Sequence, residues 1–265
     1  MTPLVDAAAV KARLAGLVVV DARFKLGEPG AGERGYLAGH IPGAAFLDLD
    51  RDLADPPGER GRHPLPDTER FQAAARRAGI SNGSSVVAYD QAGEGGAARL
   101  WWLLRHHGHA NVAVLDGGLG AWVEAGGDLS TTVEPVEPGD FVVRPGDLGV
   151  AALDEVAGAP LLLDARAPER YRGEVEPIDP VAGHIPGARN LPFADLAPQG
   201  KFRSPEELRR RFAEVGAGDA DAVAYCGSGV TAAVLVLAAE AAGIRAPRLY
   251  PGSWSEWSRR GLPAA

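Results

Sequence analysis

The sequence contains one cysteine, Cys226, and the residues around it are of types that make a thiol reactive. An apolar run at 222–225 leads into Cys-Gly-Ser-Gly-Val-Thr at 226–231, and an alanine-rich helical pattern follows. Because two glycines let such a loop curl, its backbone N–H groups can point inward, and the loop ends at the positive pole of the helix. This setting favours an anion, here the thiolate of Cys226. We therefore expect a nucleophilic thiolate surrounded by the hydroxyl and backbone N–H donors of Gly227, Ser228, Gly229, Val230 and Thr231.

Two other interpretations of Cys226 compete with this one. A free cysteine is most often a small buried hydrophobe, but a thiol between a buried strand and a Gly-x-Gly turn is better suited to the floor of a cleft. A phosphatase uses a similar loop, but its loop is longer and ends in an arginine that clamps phosphate. Position 232 is alanine, which argues against phosphoryl chemistry.

The composition excludes several classes of protein. The 265 residues, 46% of them hydrophobic, can bury a large core, and a net charge of −8 leaves no excess of cations for the phosphates of a nucleic acid. A single cysteine allows no disulfide within the chain and no thiolate-rich metal centre. The histidines at 106, 107 and 109 have no carboxylate cluster beside them, so no metal is expected. No apolar stretch reaches the ~18 residues of a membrane span and no targeting signal is recognisable, so we expect a cytoplasmic protein.

Four short blocks of sequence occur twice, in the same order. The first residues of the paired blocks are Val20 and Leu163, Gly39 and Gly183, Val86 and Ala222, and Asp116 and Pro251. The second pair is the identical string Gly-His-Ile-Pro-Gly-Ala. Each block alone is an ordinary strand exit or turn, but four in one order, at offsets of 135 to 144 residues, indicate a duplicated unit of normal domain size.

Apolar runs alternate with helical patterns in both halves. The predicted strands are 17–20, 85–89, 113–115, 161–163, 222–225 and 248–250, and the predicted helices are 67–78, 97–107, 204–215 and 230–242. This alternation with short connections predicts two α/β domains, at 1–129 and 148–265, each with a mainly parallel sheet flanked by helices. The acidic, proline-rich stretch 130–147 is predicted to be a solvated linker.

The duplicated α/β unit, the paired Gly-His-Ile-Pro-Gly-Ala motifs and the Cys-Gly-Ser-Gly-Val-Thr loop together resemble the tandem-domain sulfurtransferases, the family of rhodanese and 3-mercaptopyruvate sulfurtransferase. The resemblance covers nearly the whole chain. It implies two rhodanese-like domains, of which the first is catalytically silent and carries Asp90 at the place of Cys226. It also implies that Cys226 takes sulfur from a donor as a persulfide and passes it to a thiol or to cyanide, without a metal or another cofactor.

The resemblance extends to the donor, which would be 3-mercaptopyruvate or thiosulfate. Gly-Ser-Gly at 227–229 is similar to the members that prefer 3-mercaptopyruvate, in which two arginines hold the carboxylate and ketone of the substrate. Arg170 matches the first arginine, but the second falls at Asp179. An acidic residue there would repel a carboxylate unless it points away, and Arg172 and Lys201 are candidate substitutes.

A relay of serine, histidine and acid is also implied by the resemblance, with Ser228 paired to His40. The alternative is a structural His40, because His184 lies in the identical turn of the other half, where no relay is expected. Glu28 and Glu33 are the candidate acids.

The expected partners are a small-molecule sulfur donor and a thiol or cyanide acceptor, with a thioredoxin-like reductant as a further candidate. Neither a nucleic acid nor a membrane is expected, and two domains that enclose a site need no second subunit, so a monomer is expected. The rival hypothesis is a non-catalytic module whose Cys226 thiol senses persulfide or oxidant.

Overall fold

The structure is a computed structural model that describes residues 1–218 and 220–265. It divides into two compact units, and each unit includes a short piece from the other half of the sequence. The first unit comprises Met1–Asp55, Pro66–Asp147 and Gln199–Lys201, and the second comprises Pro56–Leu65, Leu148–Pro198 and Phe202–Ala265. Residues 56–65 therefore belong to the second unit, although they lie within the stretch 1–129 that the sequence assigns to the first domain.

The proline-rich stretch 130–147 lies against the first unit. Its backbone pairs with that of His40 through Ser130, with N···O distances of 2.9 and 2.8 Å. Further along, the Phe141 side chain is buried and its N–H donates to the carbonyl of Ile80. Most of the other side chains of this stretch are exposed, as its composition leads one to expect.

The first unit alternates strands and helices along the chain. They are β1 (Leu4–Val5), α1 (Ala7–Arg13), β2 (Val18–Asp21), α2 (Ala31–Ala38), β3 (Ala45–Phe46), α3 (Leu49–Asp52), α4 (Thr68–Arg77), β4 (Val86–Tyr89), α5 (Gly96–His106), β5 (Val112–Leu115) and α6 (Gly118–Glu124). The five strands form one parallel sheet in the order β1-β5-β4-β2-β3. Every residue of β4 and β5 is buried and apolar or aromatic, which is typical of a sheet covered by helices on both faces.

The second unit repeats this alternation. Its elements are α7 (Leu153–Val156), β6 (Leu161–Asp164), α8 (Pro168–Tyr171), β7 (Arg189–Asn190), α9 (Phe193–Leu196), α10 (Pro205–Glu214), β8 (Ala222–Tyr225), α11 (Ala232–Ala242), β9 (Arg248–Leu249) and α12 (Ser253–Arg259). The strands are all parallel, in the order β7-β6-β8-β9. Because β8 lies inside the sheet, its carboxyl end is a place where ligands bind in open parallel sheets.

The predicted α/β fold is confirmed, and each predicted strand and helix is present with its ends within two residues of the expected ones. Helix α10 begins as its sequence predicts: Ser204 Oγ accepts the N–H of Glu207, and the Glu207 carboxylate accepts the N–H of Ser204. Helix α11 begins two residues later than predicted, because residues 230 and 231 belong to the preceding loop.

The repeated motifs make the same contacts in each unit. In both, the arginine of Asp-Ala-Arg binds its own aspartate through two nitrogens and donates to the carbonyl of the first glycine of Gly-His-Ile-Pro-Gly-Ala, at 2.8 Å. The residues are Asp21, Arg23 and Gly39 in the first unit and Asp164, Arg166 and Gly183 in the second. In each unit, this arginine therefore fastens the Gly-His-Ile-Pro-Gly-Ala turn to the end of the strand that carries the aspartate, β2 or β6.

Within the described ranges, no helix has both the length and the apolar composition that crossing a bilayer requires.

Candidate active site

Cys226 directly follows strand β8 and is only 2% exposed. The N–H of Gly229 lies 3.1 Å from its Sγ, so the loop donates to the sulfur as predicted from the two glycines. The backbone of Cys226 is fixed on both sides, because its N–H donates to Ser253 Oγ and its carbonyl accepts the N–H of Trp254. These contacts hold the thiol at the carboxyl end of the sheet, between β8 and the start of α12.

The curl of the loop depends on Gly229. Its φ of +77° is in the left-handed region, and a Cβ there would lie 2.5 Å from the carbonyl oxygen of Pro251. A side chain would therefore push the loop away from Pro251 and take the N–H of residue 229 off the Cys226 sulfur. Val230, also buried, completes the loop, and Thr231 is the residue before α11.

Ser228 is paired with a histidine that the sequence did not single out. Its Oγ lies 2.7 Å from Nδ1 of His63, and both side chains are buried. His63 comes from residues 56–65, the piece of the first half that belongs to the second unit. Neither a repeated motif nor a periodic pattern marks this residue, so only the tertiary structure identifies it.

The expected pairing of Ser228 with His40 is not found. Both ring nitrogens of His40 lie against backbone carbonyls of the first unit, 2.8 Å from that of Tyr36 and 3.2 Å from that of Thr132. His184 makes the equivalent contact, with its Nδ1 2.8 Å from the carbonyl of Tyr171. His40 thus fastens a turn, as its twin does.

The two candidate acids of the relay, Glu28 and Glu33, are exposed residues of the first unit. Glu28 is exposed and pairs with Lys25, and Glu33 is exposed on α2. Neither residue is in contact with Ser228 or His63 in the bonds that the structure shows for those two side chains.

Asp179 points into the site, between two arginines. Its carboxylate accepts two hydrogen bonds from Arg62, at 2.8 and 3.3 Å, and a longer one of 3.5 Å from Arg170. The Asp179 side chain is 3% exposed. Its negative charge is therefore matched within the protein, and the side chain lies toward Arg62 and Arg170 rather than away from them.

The arginines and acids of the site alternate in one row, the charge row: Arg166, Glu176, Arg170, Asp179 and Arg62. Glu176 lies 3.4 Å from Arg166 Nη1 and 2.6 Å from Arg170 Nη2. Burial alone would raise the pKa of Glu176, but the hydrogen bonds from Arg170 and from the N–H of Asp179 hold that pKa below its ordinary value. Glu176 is therefore ionised at neutral pH.

Arg62 and Arg170 both face Gly227, the residue after the nucleophile. A Cβ on Gly227 would lie 3.2 Å from Arg62 Nη2 and 3.6 Å from Arg170 Nη1. Of the two substitutes suggested by the sequence, Arg172 is exposed and pairs with Glu174, and Lys201 is exposed and belongs to the first unit. The second guanidinium at the site is thus that of Arg62, which the sequence did not suggest.

Among the described residues, no group of three or more His, Cys, Asp and Glu side chains could hold a metal ion. The chemistry available at the site is that of a thiol, a serine–histidine pair and two guanidinium groups.

Comparison with known proteins identifies the family. The model of the rhodanese-like domain matches the chain twice, over residues 6–125 and 150–260. The chain belongs to the rhodanese-like family.

Its relatives are sulfurtransferases. A Pseudomonas aeruginosa protein provisionally named 3-mercaptopyruvate sulfurtransferase is 48% identical over 96% of this chain and 94% of its own. A Mycobacterium tuberculosis protein provisionally named thiosulfate sulfurtransferase is 45% identical over 93% of this chain and 92% of its own. The solved 3-mercaptopyruvate sulfurtransferase of Leishmania major has a TM-score of 0.87 and 31% identity, covering 97% of this chain and 74% of that one.

This rhodanese-like protein is therefore a sulfurtransferase, and the hypothesis of a purely sensing thiol loses its support.

The first rhodanese-like domain carries a carboxylate where the second carries a thiol. Asp90 follows strand β4 as Cys226 follows β8, and its side chain accepts the N–H groups of Ala92, Gly95 and Ala97. Burial raises the pKa of Asp90, and the three N–H groups oppose that rise. The loop of the first domain is thus closed on its own carboxyl group.

Proposed function

We propose that this protein transfers the sulfur of 3-mercaptopyruvate through a persulfide on Cys226. The observation that carries the proposal is the position of the Cys226 thiol, which receives the N–H of Gly229 next to two guanidinium groups that face Gly227. Two of the three relatives quoted above carry the name 3-mercaptopyruvate sulfurtransferase, which supports this donor over thiosulfate.

In the first half-reaction the Cys226 thiolate attacks the sulfur of 3-mercaptopyruvate. A sulfur–sulfur bond forms while the bond between sulfur and C3 breaks, and its electron pair stays on carbon as the enolate of pyruvate. Addition of one proton to that carbon gives pyruvate, and the transferred sulfur remains as the outer atom of a persulfide. Backbone N–H groups of 227–231 would stabilise the negative charge on that outer sulfur, as an oxyanion hole does for oxygen.

The Ser228–His63 pair is the proposed route for the proton. It is buried beside the nucleophile and its 2.7 Å separation is that of a strong hydrogen bond. A histidine that passes a proton through a hydroxyl can supply the enolate carbon without exposing the site to water.

In the second half-reaction an acceptor attacks the outer sulfur. Cyanide leaves as thiocyanate, and a thiol leaves as its own persulfide, in each case regenerating the Cys226 thiolate. We propose a thiol as the ordinary acceptor, including the thiol of a thioredoxin-like reductant, and thiosulfate as a weaker donor.

Steady-state rates with each donor test the proposal. With dithiothreitol as acceptor, 3-mercaptopyruvate should give a kcat/KM at least about tenfold above that of thiosulfate, and Cys226→Ser should abolish turnover of both. A faster reaction with thiosulfate would overturn the choice of donor, and turnover by the Cys226→Ser variant would overturn the mechanism.

A further inference from the structure

We propose that Arg62 is the second guanidinium that binds the carboxylate of the substrate, and that Asp179 is the positioning residue that holds Arg62 in place. This inference rests on the proposed function, because it names how the same site recognises a 2-oxo acid. It assigns a role to an arginine from residues 56–65 and to an aspartate where an arginine was expected.

The direction in which the two arginines point is the first argument. Arg62 Nη2 and Arg170 Nη1 approach the same face of Gly227, at 3.2 and 3.6 Å from the position of a Cβ. Gly227 is bonded to Cys226, so both guanidinium groups lie against the residue that follows the nucleophile. Two planar guanidinium groups that approach the same residue can both donate hydrogen bonds to the two oxygens of one carboxylate.

Unused hydrogen-bond donors are the second argument. The Nε atoms of Arg62 and Arg170 are both buried and have no hydrogen-bond partner among the described residues. A buried donor that lacks a partner costs stability unless a ligand supplies an acceptor. Both arginines of the proposed pair show this feature, so neither guanidinium has all of its donors satisfied by the described residues.

The fastening of Arg62 is the third argument. Asp179 accepts from both terminal nitrogens of Arg62 and is itself buried, so it fixes the plane of that guanidinium. The backbone is fixed as well, because the N–H of Arg62 donates to Ser255 Oγ at 3.0 Å. Gly61, with a φ of +99°, packs so closely that a Cβ would lie 2.7 Å from the carbonyl oxygen of Gly252.

The charge row explains why an acid is tolerated beside an anionic substrate. Asp179 lies between Arg62 and Arg170, and Glu176 lies between Arg170 and Arg166. Because each carboxylate is shared by two arginines, neither is left as an unbalanced negative charge. The substrate carboxylate is then held by the guanidinium groups of Arg62 and Arg170 where they face Gly227.

The test compares four variants by their KM for 3-mercaptopyruvate, with dithiothreitol as acceptor. Arg62→Gln should raise this KM about 10- to 100-fold, as expected for a lost hydrogen bond to a charged group, and should leave the KM for dithiothreitol unchanged. Asp179→Asn should raise the KM for 3-mercaptopyruvate less. The exchange variant, Arg62→Asp with Asp179→Arg, rebuilds the ion pair in the opposite sense and should lower the KM about tenfold relative to the Arg62→Asp single variant.

The matched control is Arg245→Gln, the same change at an exposed arginine of the second domain that pairs with Asp221 on the surface. It should leave both KM values unchanged. Pyruvate gives a readout without turnover: it should raise the thermal midpoint of the wild-type protein and of Arg245→Gln, and much less that of Arg62→Gln.

Unchanged KM and unchanged pyruvate stabilisation in Arg62→Gln would overturn the role of Arg62, and so would a KM increase found in Arg172→Gln instead. An exchange variant with a KM no lower than that of Arg62→Asp would overturn the role of Asp179.

If Arg62→Gln does not fold, Arg62→Lys keeps the charge without the planar guanidinium and should raise the KM for 3-mercaptopyruvate at least about fivefold. An unchanged KM would again overturn the role of Arg62. If the wild-type protein forms no persulfide from 3-mercaptopyruvate, the proposed function itself fails. This result is separate from any change of KM that the variants show.

Discussion

Ser228 Oγ lies 2.7 Å from Nδ1 of His63, although 165 residues separate the two in the chain. The pair exists because residues 56–65 of the first half belong to the second structural unit. Both side chains are buried next to the residue that carries the thiol, so the pair is placed to move a proton during sulfur transfer.

Ser228→Ala and His63→Asn should each lower kcat by about 10²- to 10⁴-fold, the range for loss of a positioned proton donor. Because the two side chains act as one unit, the double variant should be little slower than the slower single variant. Pre-steady-state release of pyruvate, followed by quenched flow, is the measurement. Losses that multiply in the double variant would show that serine and histidine act separately.

His40→Asn should lower stability without lowering kcat, because both ring nitrogens of His40 hold backbone carbonyls. A loss of about 0.5–1.5 kcal/mol is expected for the hydrogen bond that the His40 ring gives up, because the carbonyls of Tyr36 and Thr132 keep Gly39 N–H and Ser130 Oγ as donors. His184→Asn is the matched variant, since it lies in the identical turn and contacts the carbonyl of Tyr171. Urea unfolding and kcat measured side by side check this, and a large fall of kcat in His40→Asn alone would restore the relay that the sequence suggested.

Gly229→Ala should slow persulfide formation. The left-handed backbone of Gly229 costs a non-glycine residue about 1–2 kcal/mol, and its new Cβ would lie 2.5 Å from the Pro251 carbonyl oxygen. The loop must then shift and remove the N–H from the Cys226 sulfur. Stopped-flow rates of the first turnover test this against Gly83→Ala, where a Cβ meets nothing within 4 Å; equal rates in the two variants would contradict it.

Glu176 should make stability depend on pH in a defined direction. Its pKa is lower in the folded protein than in the unfolded chain, so its contribution is fully present above the unfolded value, about 4.3, and is lost as pH falls through the folded value. Glu176→Gln should therefore lower the free energy of unfolding by about 3–5 kcal/mol near neutral pH. The reason is that Arg170 and Arg166 each lose an ion pair with the Glu176 carboxylate. The difference from wild type should shrink as pH falls below about 4.3. Urea unfolding from pH 7 to pH 3 measures it; a difference that grows on acidification would have the wrong sign.

The sequence predicts the fold well because the long elements have strong periodic signals. β4 and β8 are continuous apolar runs, and α10 begins with a capping box that Ser204 and Glu207 encode. The sequence does not predict the two-residue strands β1, β3 and β7, whereas it predicts β9, which is equally short, at 248–250. Local sequence therefore predicts the scaffold and the Cys226 loop, which is formed by neighbouring residues.

The rest of the site could not be predicted, because it depends on which unit residues 56–65 join. Arg62 and His63 lie outside every repeated motif, and their partners Asp179 and Ser228 are more than a hundred residues away. Asp179 looked unfavourable for an anionic substrate only because the arginine it binds was not known. A substitution at one position of a site can be interpreted only with its spatial neighbours.

The most direct test of the account is the intact mass of the protein after one equivalent of 3-mercaptopyruvate is added without acceptor. The account predicts a gain of about 32 Da, one sulfur atom, that maps to the peptide containing Cys226 and is removed by cyanide as thiocyanate. It also predicts one equivalent of pyruvate released. Release of pyruvate with no change in the mass of Cys226, or the same mass gain in Cys226→Ser, would contradict it.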